Sequence, residues 1–427
     1  MIARRTALTI GAIICLFLVT FGYILPKLCE DRIYSVYFRP RDRGADLATK
    51  AYRKNIARLQ EASLYLGAVS AENGTGKPVR FWSSNGVIKR ATVEGRRKNL
   101  PSIGIGVTTV QRSAEKDGRF RLGYLTQVVA ALCRQAAEDD DNFARIQIFV
   151  CNVDKDGVRH KEATRLSSII ATHVKYTNEE SLGGVREPWQ IFEKEKRDYQ
   201  FCLERSLQYN VDYAVILEDD AVPKSGFFKV LYEVLKEREK FEAATERPRD
   251  VTVNWAFIKL YYPEKWAGFS FEWRSLLELL YFGLAGGVLF DVASVFYSRL
   301  IASHRQRTLF SHASAFCFGA IYVVSIVLAV GRPYITDCLY DVWGWYRLIS
   351  SRGCCTQAVV YPAASVPDLI EYISNKECDI DYSIDLLLED YVVDGKLNRF
   401  LVEPNIVNHI GLFSSLRAYA KRPAEFI

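Results

Sequence analysis

Three consecutive acids close an apolar run in the segment Val211-Asp-Tyr-Ala-Val-Ile-Leu-Glu-Asp-Asp-Ala-Val-Pro223. The run Tyr213–Leu217 has the unbroken apolar character of a parallel strand buried on both faces. Glu218, Asp219 and Asp220 then fall at its carboxyl end, where open α/β sheets bind their ligands. Hard divalent cations take oxygen ligands, and Mg²⁺ or Mn²⁺ bridges protein carboxylates to phosphate oxygens. The triplet therefore suits a metal site that holds a nucleoside diphosphate. Asp220 is the expected metal ligand, because the third residue past a strand end projects beyond the sheet. Glu218 and Asp219 are left to bind ribose, to bind a metal-bound water or to orient loops. The competing reading is a solvated strand end or the first turn of a helix, where Asp is common. His409, one of five histidines, follows a strand pattern in Asn408-His-Ile-Gly-Leu-Phe-Ser-Ser415. A neutral imidazole there can join the same metal or hydrogen-bond a diphosphate. A packed or surface histidine is the alternative.

Such a site needs a sheet to carry it. Strands are expected at Ile103–Val110, Arg145–Asn152, Tyr213–Leu217 and Trp255–Tyr261, with helices at Tyr124–Ala137, Trp189–Gln208 and Gly226–Ala243. After an apolar interruption the pattern resumes with a strand at Ala358–Tyr361, helices at Pro367–Ile373 and Ser383–Tyr391, and a strand at Phe400–Glu403. Alternating strands and helices predict an α/β domain with a largely parallel sheet. Neither half carries all the expected elements, so the two are expected to form one domain. Gly104 and Gly106 lie inside a strand and lack the third glycine of a dinucleotide fingerprint.

The interruption reads as membrane. Ala7–Leu25 carries no charge, and about 20 apolar residues span a bilayer as a helix. Arg4 and Arg5 precede it and place the N-terminus in the cytosol. A cleaved signal peptide is the alternative, with an apolar core long for that role and no clear cleavage site. Leu276–Tyr297 carries Glu278 and Asp291, and Ala313–Val330 carries no charge. Between them Arg299, Arg305 and Arg307 mark a cytosolic loop, which agrees with the first anchor. A buried helix hairpin is the alternative for this pair. Asp291 is costly in lipid unless it lies near an end or faces a neighbouring helix. Ala285-Gly286-Gly287 permits close helix packing. The expected order is a cytosolic tail at 1–6, a span at 7–25, a lumenal stem at 26–100 with a helix over Leu47–Leu66, and the first part of the domain at 101–275. A span at 276–297, a loop at 298–312, a span at 313–330 and the second part at 331–427 follow.

With 427 residues and 49% hydrophobic content, the chain can build one large domain beside its spans. The net charge of +6 includes no long basic run and no recognition motif, so no nucleic-acid partner is expected. Basic residues beside the spans meet lipid headgroups or solvent. Of ten cysteines, Cys15 and Cys317 lie in spans; the other eight would be lumenal, where disulfides form. Cys133, Cys151 and Cys202 read as free core thiols. The adjacent Cys354 and Cys355 either join each other or pair elsewhere. Asn73-Gly74-Thr75 is a glycosylation sequon.

Taken in order, Glu193–Leu203, Ile216–Pro223, Phe257–Glu264, the hairpin and Val402–Leu416, together with the N-terminal anchor, resemble the Golgi enzymes that add N-acetylgalactosamine to GPI anchors, the post-GPI-attachment factor four family. The same blocks are more loosely similar to N-acetylglucosaminyltransferase IV of N-glycan branching, which lacks the hairpin. The acidic triplet alone is common among GT-A glycosyltransferases; the ordered set with the hairpin is more specific. The resemblance implies an α/β fold with a GT-A-type (Rossmann-like) glycosyltransferase domain, interrupted by a transmembrane helical hairpin and preceded by a transmembrane anchor. It implies a multi-pass Golgi membrane protein with its catalytic domain in the lumen. The donor would be UDP-GalNAc, the acceptor the first mannose of the GPI glycan on GPI-anchored proteins, and the cofactor Mn²⁺ or Mg²⁺. An inverting transfer needs a general base. Asp385, in Tyr382-Ser-Ile-Asp-Leu-Leu-Leu-Glu-Asp390, opens a helix and matches an acidic position in similar sequences, so it is the expected base. Glu389 and Asp390 are fallbacks, and simple helix capping is the alternative for Asp385. Thr108, Thr109 and Arg112 lie where a GT-A domain holds uridine. Lys194 and Asp198, at i, i+4 on one helix, would reach the nucleotide or form a plain surface ion pair. Rival readings are an N-acetylglucosaminyltransferase acting on N-glycans and a catalytically inert lumenal scaffold on the same fold. A transporter would need more spans or an oligomer.

Overall fold

The computed structural model describes residues 2–38, 44–74, 101–112, 115, 120–138, 146–177, 190–244, 254–301, 309–351 and 353–413. They fall into two compact units, one within Met1–Leu47 and Pro263–Trp343, the other within Ala48–Tyr262 and Gly344–Phe426. Thr75 of the sequon, the loop residues Arg305 and Arg307, and Ser414–Leu416 of the tail lie outside the described residues.

In the second unit the apolar runs form strands. In chain order these are β1 (Ile103–Thr109), β2 (Ile146–Asn152), β3 (Ala171–Val174), β4 (Tyr213–Glu218), β5 (Ala221–Pro223), β6 (Trp255–Lys259), β7 (Arg347–Ser350), β8 (Ala358–Pro362), β9 (Asn398–Glu403) and β10 (Val407–His409). Eight of them make one sheet in the order β3-β2-β1-β4-β8-β6-β9-β7, and β10 pairs separately with β5. The sheet is mixed rather than largely parallel. β3, β2, β1 and β4 run parallel, but β8 enters antiparallel between β4 and β6, and β7 is antiparallel to β9. Strand direction is set by where the returning chain enters, and an apolar run such as Ala358–Tyr361 reads the same either way. The four strands absent from the expected set, β3, β5, β7 and β10, have only three or four residues each, too few to show a pattern.

Helices cover the sheet where the periodicity places them, at Tyr124–Glu138, Ile191–Leu207, Phe227–Ala244, Val366–Ser374 and Ile384–Asp394. The helix Ile191–Leu207 lies against β1, because Gly106 leaves no room for a side chain: a Cβ there would sit 2.7 Å from Cys202 Sγ and 2.8 Å from the Phe149 ring. Cys202 is bonded to Cys151 of β2. The pair therefore forms a disulfide and not two free thiols; apolar surroundings are common to both states, and the sequence does not show that the fold brings the two together. Cys354 and Cys355 join each other. The helix Gly44–Gly74, longer than the expected Leu47–Leu66, is docked rather than free. Asn55 donates to the Leu122 carbonyl at 2.9 Å and accepts from Gln127 at 2.9 Å, and Tyr52 meets Phe120 edge-on.

In the first unit three helices are long and apolar enough to cross a membrane, over Gly11–Cys29, Trp273–Tyr297 and Ser311–Val330. Gly286 and Gly319 bring the last two together, since a Cβ on either would lie within 3 Å of the opposite backbone. Asp291 is paired: its carboxylate lies 2.8 Å and 3.0 Å from His312 Nδ1 on the facing helix. Glu278 binds Arg332 through two bonds, at 2.7 Å and 3.0 Å. Each carboxylate of the hairpin thus faces a neighbour, the condition under which such groups persist in lipid. The first span joins them through Phe17, Phe21 and Tyr322.

Candidate active site

The chain leaves β1 outward through β2 to β3, while β4 lies on the other side of β1. The strand order reverses between β1 and β4, and their carboxyl ends frame the crevice where such sheets bind ligands. Glu218 ends β4 opposite Thr108, and the Asp219 N–H donates to the Thr108 carbonyl at 3.0 Å. The acids that follow turn inward. Asp219 and Asp220 are only 3% and 2% exposed. Adjacent buried carboxylates need compensation. Arg112, just past β1, provides it: Nη1 donates to Asp219 Oδ2 at 2.5 Å and Nη2 to Asp220 Oδ2 at 3.2 Å. Thr109 Oγ1 also donates to Asp219 Oδ2, at 2.5 Å, and lies 3.1 Å from His160 Nε2. Burial raises the Asp219 pKa, Arg112 pulls it back and Asp220 pushes it up again. Burial opposes the Arg112 charge, but Asp219 and then Asp220 outweigh it and hold the guanidinium protonated. The Tyr124 ring lies 5.2 Å from that guanidinium.

The tail of the sheet returns to the same place. β10 pairs antiparallel with β5 and sets His409 opposite Ala221. The Ile410 N–H donates to the Asp220 carbonyl at 2.8 Å, and His409 Nε2 stands 3.5 Å from Asp220 Oδ2. Gly411 closes this corner: a Cβ there would lie 2.0 Å from Asp220 Oδ2 and 3.0 Å from His409 Nε2. These residues fit a divalent cation. Carboxylate oxygen and imidazole nitrogen are both suitable donors, and two ligands ~2.1 Å from one octahedral ion stand about 3 Å apart. The backbone is bare of side chain where the two converge.

A second charged cluster lies along the helix Ile191–Leu207. Lys194 and Asp198 are buried and do not form a surface pair. Asp198 accepts from Lys194, from Lys175 at 3.0 Å and from the Tyr176 hydroxyl at 2.9 Å; Lys194 also donates to the Val153 carbonyl at 2.7 Å. Their neighbours Val153, Lys175 and Tyr176 follow the ends of β2 and β3.

Asp385 sits in the first turn of the helix Ile384–Asp394. It accepts from the Cys355 N–H and the Thr356 side chain, while its Oδ1 is buried with no hydrogen-bond partner. Burial raises its pKa; the Cys355 N–H, Lys259 and Thr356 oppose that rise. Glu195 is pushed up to about 8, by burial first and then by Asp385 and Asp198. Lys259, buried within β6, is lowered to about 8 by burial. The Tyr199 and Tyr361 hydroxyls bond at 2.7 Å, and Tyr199 senses both Asp385 and Glu218. The phenol pair therefore links the Asp385 side of the sheet to the end of β4. The two fallback acids are engaged: Glu389 binds Lys259 at 3.3 Å and also Arg399, and Asp390 accepts from the Tyr382 hydroxyl at 2.6 Å. Thr108 Oγ1 is buried without a hydrogen-bond partner.

A family model described as GPI-N-acetylgalactosamine transferase PGAP4 matches residues 103–408. The chain belongs to this family. The match begins at the first residue of β1 and ends within β10, so it takes in both halves of the sheet and the membrane hairpin between them. A member of the GPI-N-acetylgalactosamine transferase family is a glycosyltransferase, and its three long apolar helices make this one a membrane protein.

Five parts of the site carry weaker sequence signals. Lys259 interrupts the apolar run Trp255–Tyr261, and a lysine inside a buried strand signals a compensated charge. Gly411 lies two residues from His409, a spacing that marks close backbone approach only once the turn is known. The sequence leaves the pairing of Cys354 and Cys355 open between each other and partners elsewhere. His160 and Glu195 stand in ordinary polar surroundings in the chain, and only the fold brings them to Thr109 and Asp385.

Proposed function

We propose that this chain transfers N-acetylgalactosamine from UDP-GalNAc to the first mannose of the GPI glycan on GPI-anchored proteins, in the Golgi membrane, with the second unit lumenal. One observation carries the reading: Asp220 and His409 converge beside bare backbone at the switch point of the sheet. The parallel run β3-β2-β1-β4, closed by the acidic triplet, supports assignment to the GT-A type. Asp220 and His409 would hold Mn²⁺ or Mg²⁺, and a bound cation neutralises charge on the diphosphate leaving group. Thr108, Thr109 and Glu218 are the groups at the β1 and β4 ends assigned to the nucleoside. Arg112 and Asp219 set the charge of the crevice floor. Lys194 and Asp198 brace the ends of β2 and β3 on the nucleotide side.

Asp385 is the base. Its Oδ1 takes the proton of the acceptor hydroxyl as that oxygen bonds to the anomeric carbon. The bond from that carbon to the UDP oxygen breaks, and attack from the opposite face inverts the centre. Asp385 is favoured over Glu389 and Asp390 because they are tied to cations and to a phenol, while its Oδ1 has no hydrogen-bond partner. The acceptor is fixed to a bilayer by its lipid. A catalytic unit whose own chain is anchored by three spans meets that sugar at raised effective concentration.

The test is UDP release by full-length protein in detergent, from a panel of UDP-sugars with Mn²⁺, with and without a mannose-bearing GPI glycan, for wild type and Asp220→Ala. Acceptor-dependent turnover of UDP-GalNAc, lost in the variant, supports the reading. Turnover only of UDP-N-acetylglucosamine moves it to N-glycan branching, and no turnover by folded protein leaves an inert scaffold. Full activity on membrane-embedded acceptor in a form lacking Leu276–Val330 removes the anchoring argument.

A further inference from the structure

Cys354 and Cys355 are bonded to each other, and both have positive φ, +94° and +81°. Non-glycine residues rarely adopt that conformation, so the surroundings must enforce it. Both polar groups of the peptide between the two cysteines are used. An Asp385 carboxylate oxygen lies within 4.8 Å of both ring sulfurs, the Cys355 N–H donates to that carboxylate, and Thr356 adds a side-chain bond to the same group. The Cys354 carbonyl accepts from Lys259 Nζ at 2.6 Å, and Lys259 is the cation that faces Asp385. Lys259 is 2% exposed and is held on its other side by Glu389.

We propose that the Cys354–Cys355 ring is a positioning device for the Asp385 carboxylate, holding an N–H donor against it and fixing the Lys259 ammonium near it, while its Oδ1 keeps no competing hydrogen-bond partner. This rests on the assignment of Asp385 as base. Opening the ring releases residues 354 and 355 to negative φ. The N–H then turns away from Asp385, and Lys259 loses its carbonyl. Among the described residues, the charged and titratable groups that face Asp385 are Lys259 from β6, Glu195 and Tyr199 from the helix Ile191–Leu207, and Tyr361 from β8. None of them replaces the lost donor. Because the Cys355 N–H lowers the Asp385 pKa, its loss raises that pKa further.

The experiment compares full-length wild type, Cys354→Ser/Cys355→Ser and Cys354→Gly/Cys355→Gly for UDP-GalNAc turnover across pH, with Asp385→Asn alongside. The serine variant is expected to lose ~10–100-fold in kcat, as a small displacement of a positioned group does. Its KM for UDP-GalNAc should stay within about two-fold, and the acid limb of its kcat profile should move up by roughly one pH unit. The glycine variant should recover part of the rate, because glycine adopts positive φ without strain. A ring that serves only to stiffen the fold predicts the reverse order, since two glycines add chain entropy, and that order overturns the proposal. Wild-type kcat and profile in the serine variant also overturn it. If the serine variant does not fold, the glycine variant read against wild type still reports the acid limb, and an unmoved limb counts against the ring. Turnover retained by Asp385→Asn removes the base assignment whatever the ring variants do; an inactive Asp385→Asn beside an unaffected serine variant removes the ring proposal alone.

Discussion

The two carboxylate centres of the sheet are built on opposite principles. At the end of β4, Asp219 and Asp220 share Arg112, Thr109 and His409, so their negative charge is met by cationic and polar donors at fixed distances. Around Asp385 the balance is looser. The cation that opposes the rise of its pKa, Lys259, has its own pKa lowered to about 8, and a second acid, Glu195, is raised to about 8. Fixed, compensated charge suits a place that holds ions through a reaction. Loosely compensated, desolvated charge suits a place that gains and loses a proton, because burial moves pKa values toward the working range. On the proposed function, one sheet would carry a holding centre and a proton-transfer centre, linked by the Tyr199–Tyr361 pair.

The comparison breaks first at Asp220. Asp220→Ala should lower kcat/KM for UDP-GalNAc by ~10³–10⁴, the scale of a lost electrophilic centre worth several kcal/mol. The residual rate should no longer respond to Mn²⁺ between micromolar and millimolar. A variant within about ten-fold of wild type, with an unchanged Mn²⁺ response, would place the cation elsewhere. Asp385→Asn comes next, with a loss of ~10²–10⁴ in kcat, the range of general-base removal. Here the split matters more than the size: KM for UDP-GalNAc should hold, since the amide keeps the shape and only the proton acceptor is lost. A rise in KM with kcat intact would turn Asp385 from a base into a binding group.

Gly411→Ala sharpens the holding centre without touching a charge. The new Cβ would sit 2.0 Å from Asp220 Oδ2, so the carboxylate or the 409–411 segment must shift. Displacements of that order cost up to ~10²-fold in rate. The expected variant folds, binds Mn²⁺ more weakly and recovers partly at high Mn²⁺, as Asp220→Ala does not. Equal rates at all Mn²⁺ concentrations would mean that this corner holds no ion.

How much of this was legible follows from the same contrast. The triplet could be read because an apolar strand ends on it, and chain order alone sets such residues at a sheet's ligand-binding edge. Asp385 is legible only through its helix start and the family resemblance, and its surroundings come from groups remote in the chain: Glu195 on a helix, Lys259 on β6 and Cys355 in the loop before β8 meet only in the folded sheet. The antiparallel entry of β8 was invisible for the same reason, although it sets Tyr361 against Tyr199. The Cys151–Cys202 bond joins residues whose local context is that of any buried thiol. The membrane unit is more legible, since helix spans and small-residue contacts are local properties, and the pairing of Asp291 meets a condition set by lipid chemistry alone.

The smallest expected effect tests the proton-transfer centre through stability. Glu195 has its pKa raised to about 8 from an ordinary value of 4.5. Between those values the folded protein binds a proton that the unfolded chain has released, so stability falls as pH rises from about 4.5 to about 8 and is level beyond. Glu195→Gln removes a group that is costly to ionise and keeps its shape. Below about pH 4.5, where the glutamate is protonated in both states, variant and wild type should melt together. At pH 8.5 the variant should be the more stable by roughly 1–3 kcal/mol, a rise of several degrees for a domain of this size. Thermal melts of the full-length protein at matched pH in detergent read the difference directly. Turnover should change by less than ten-fold, because Glu195 acts through the field at Asp385 and not on the acceptor. A pH-independent gap between the two melting curves would show Glu195 already ionised at neutral pH, and the Asp385 centre would then be an ordinary compensated one like that at β4.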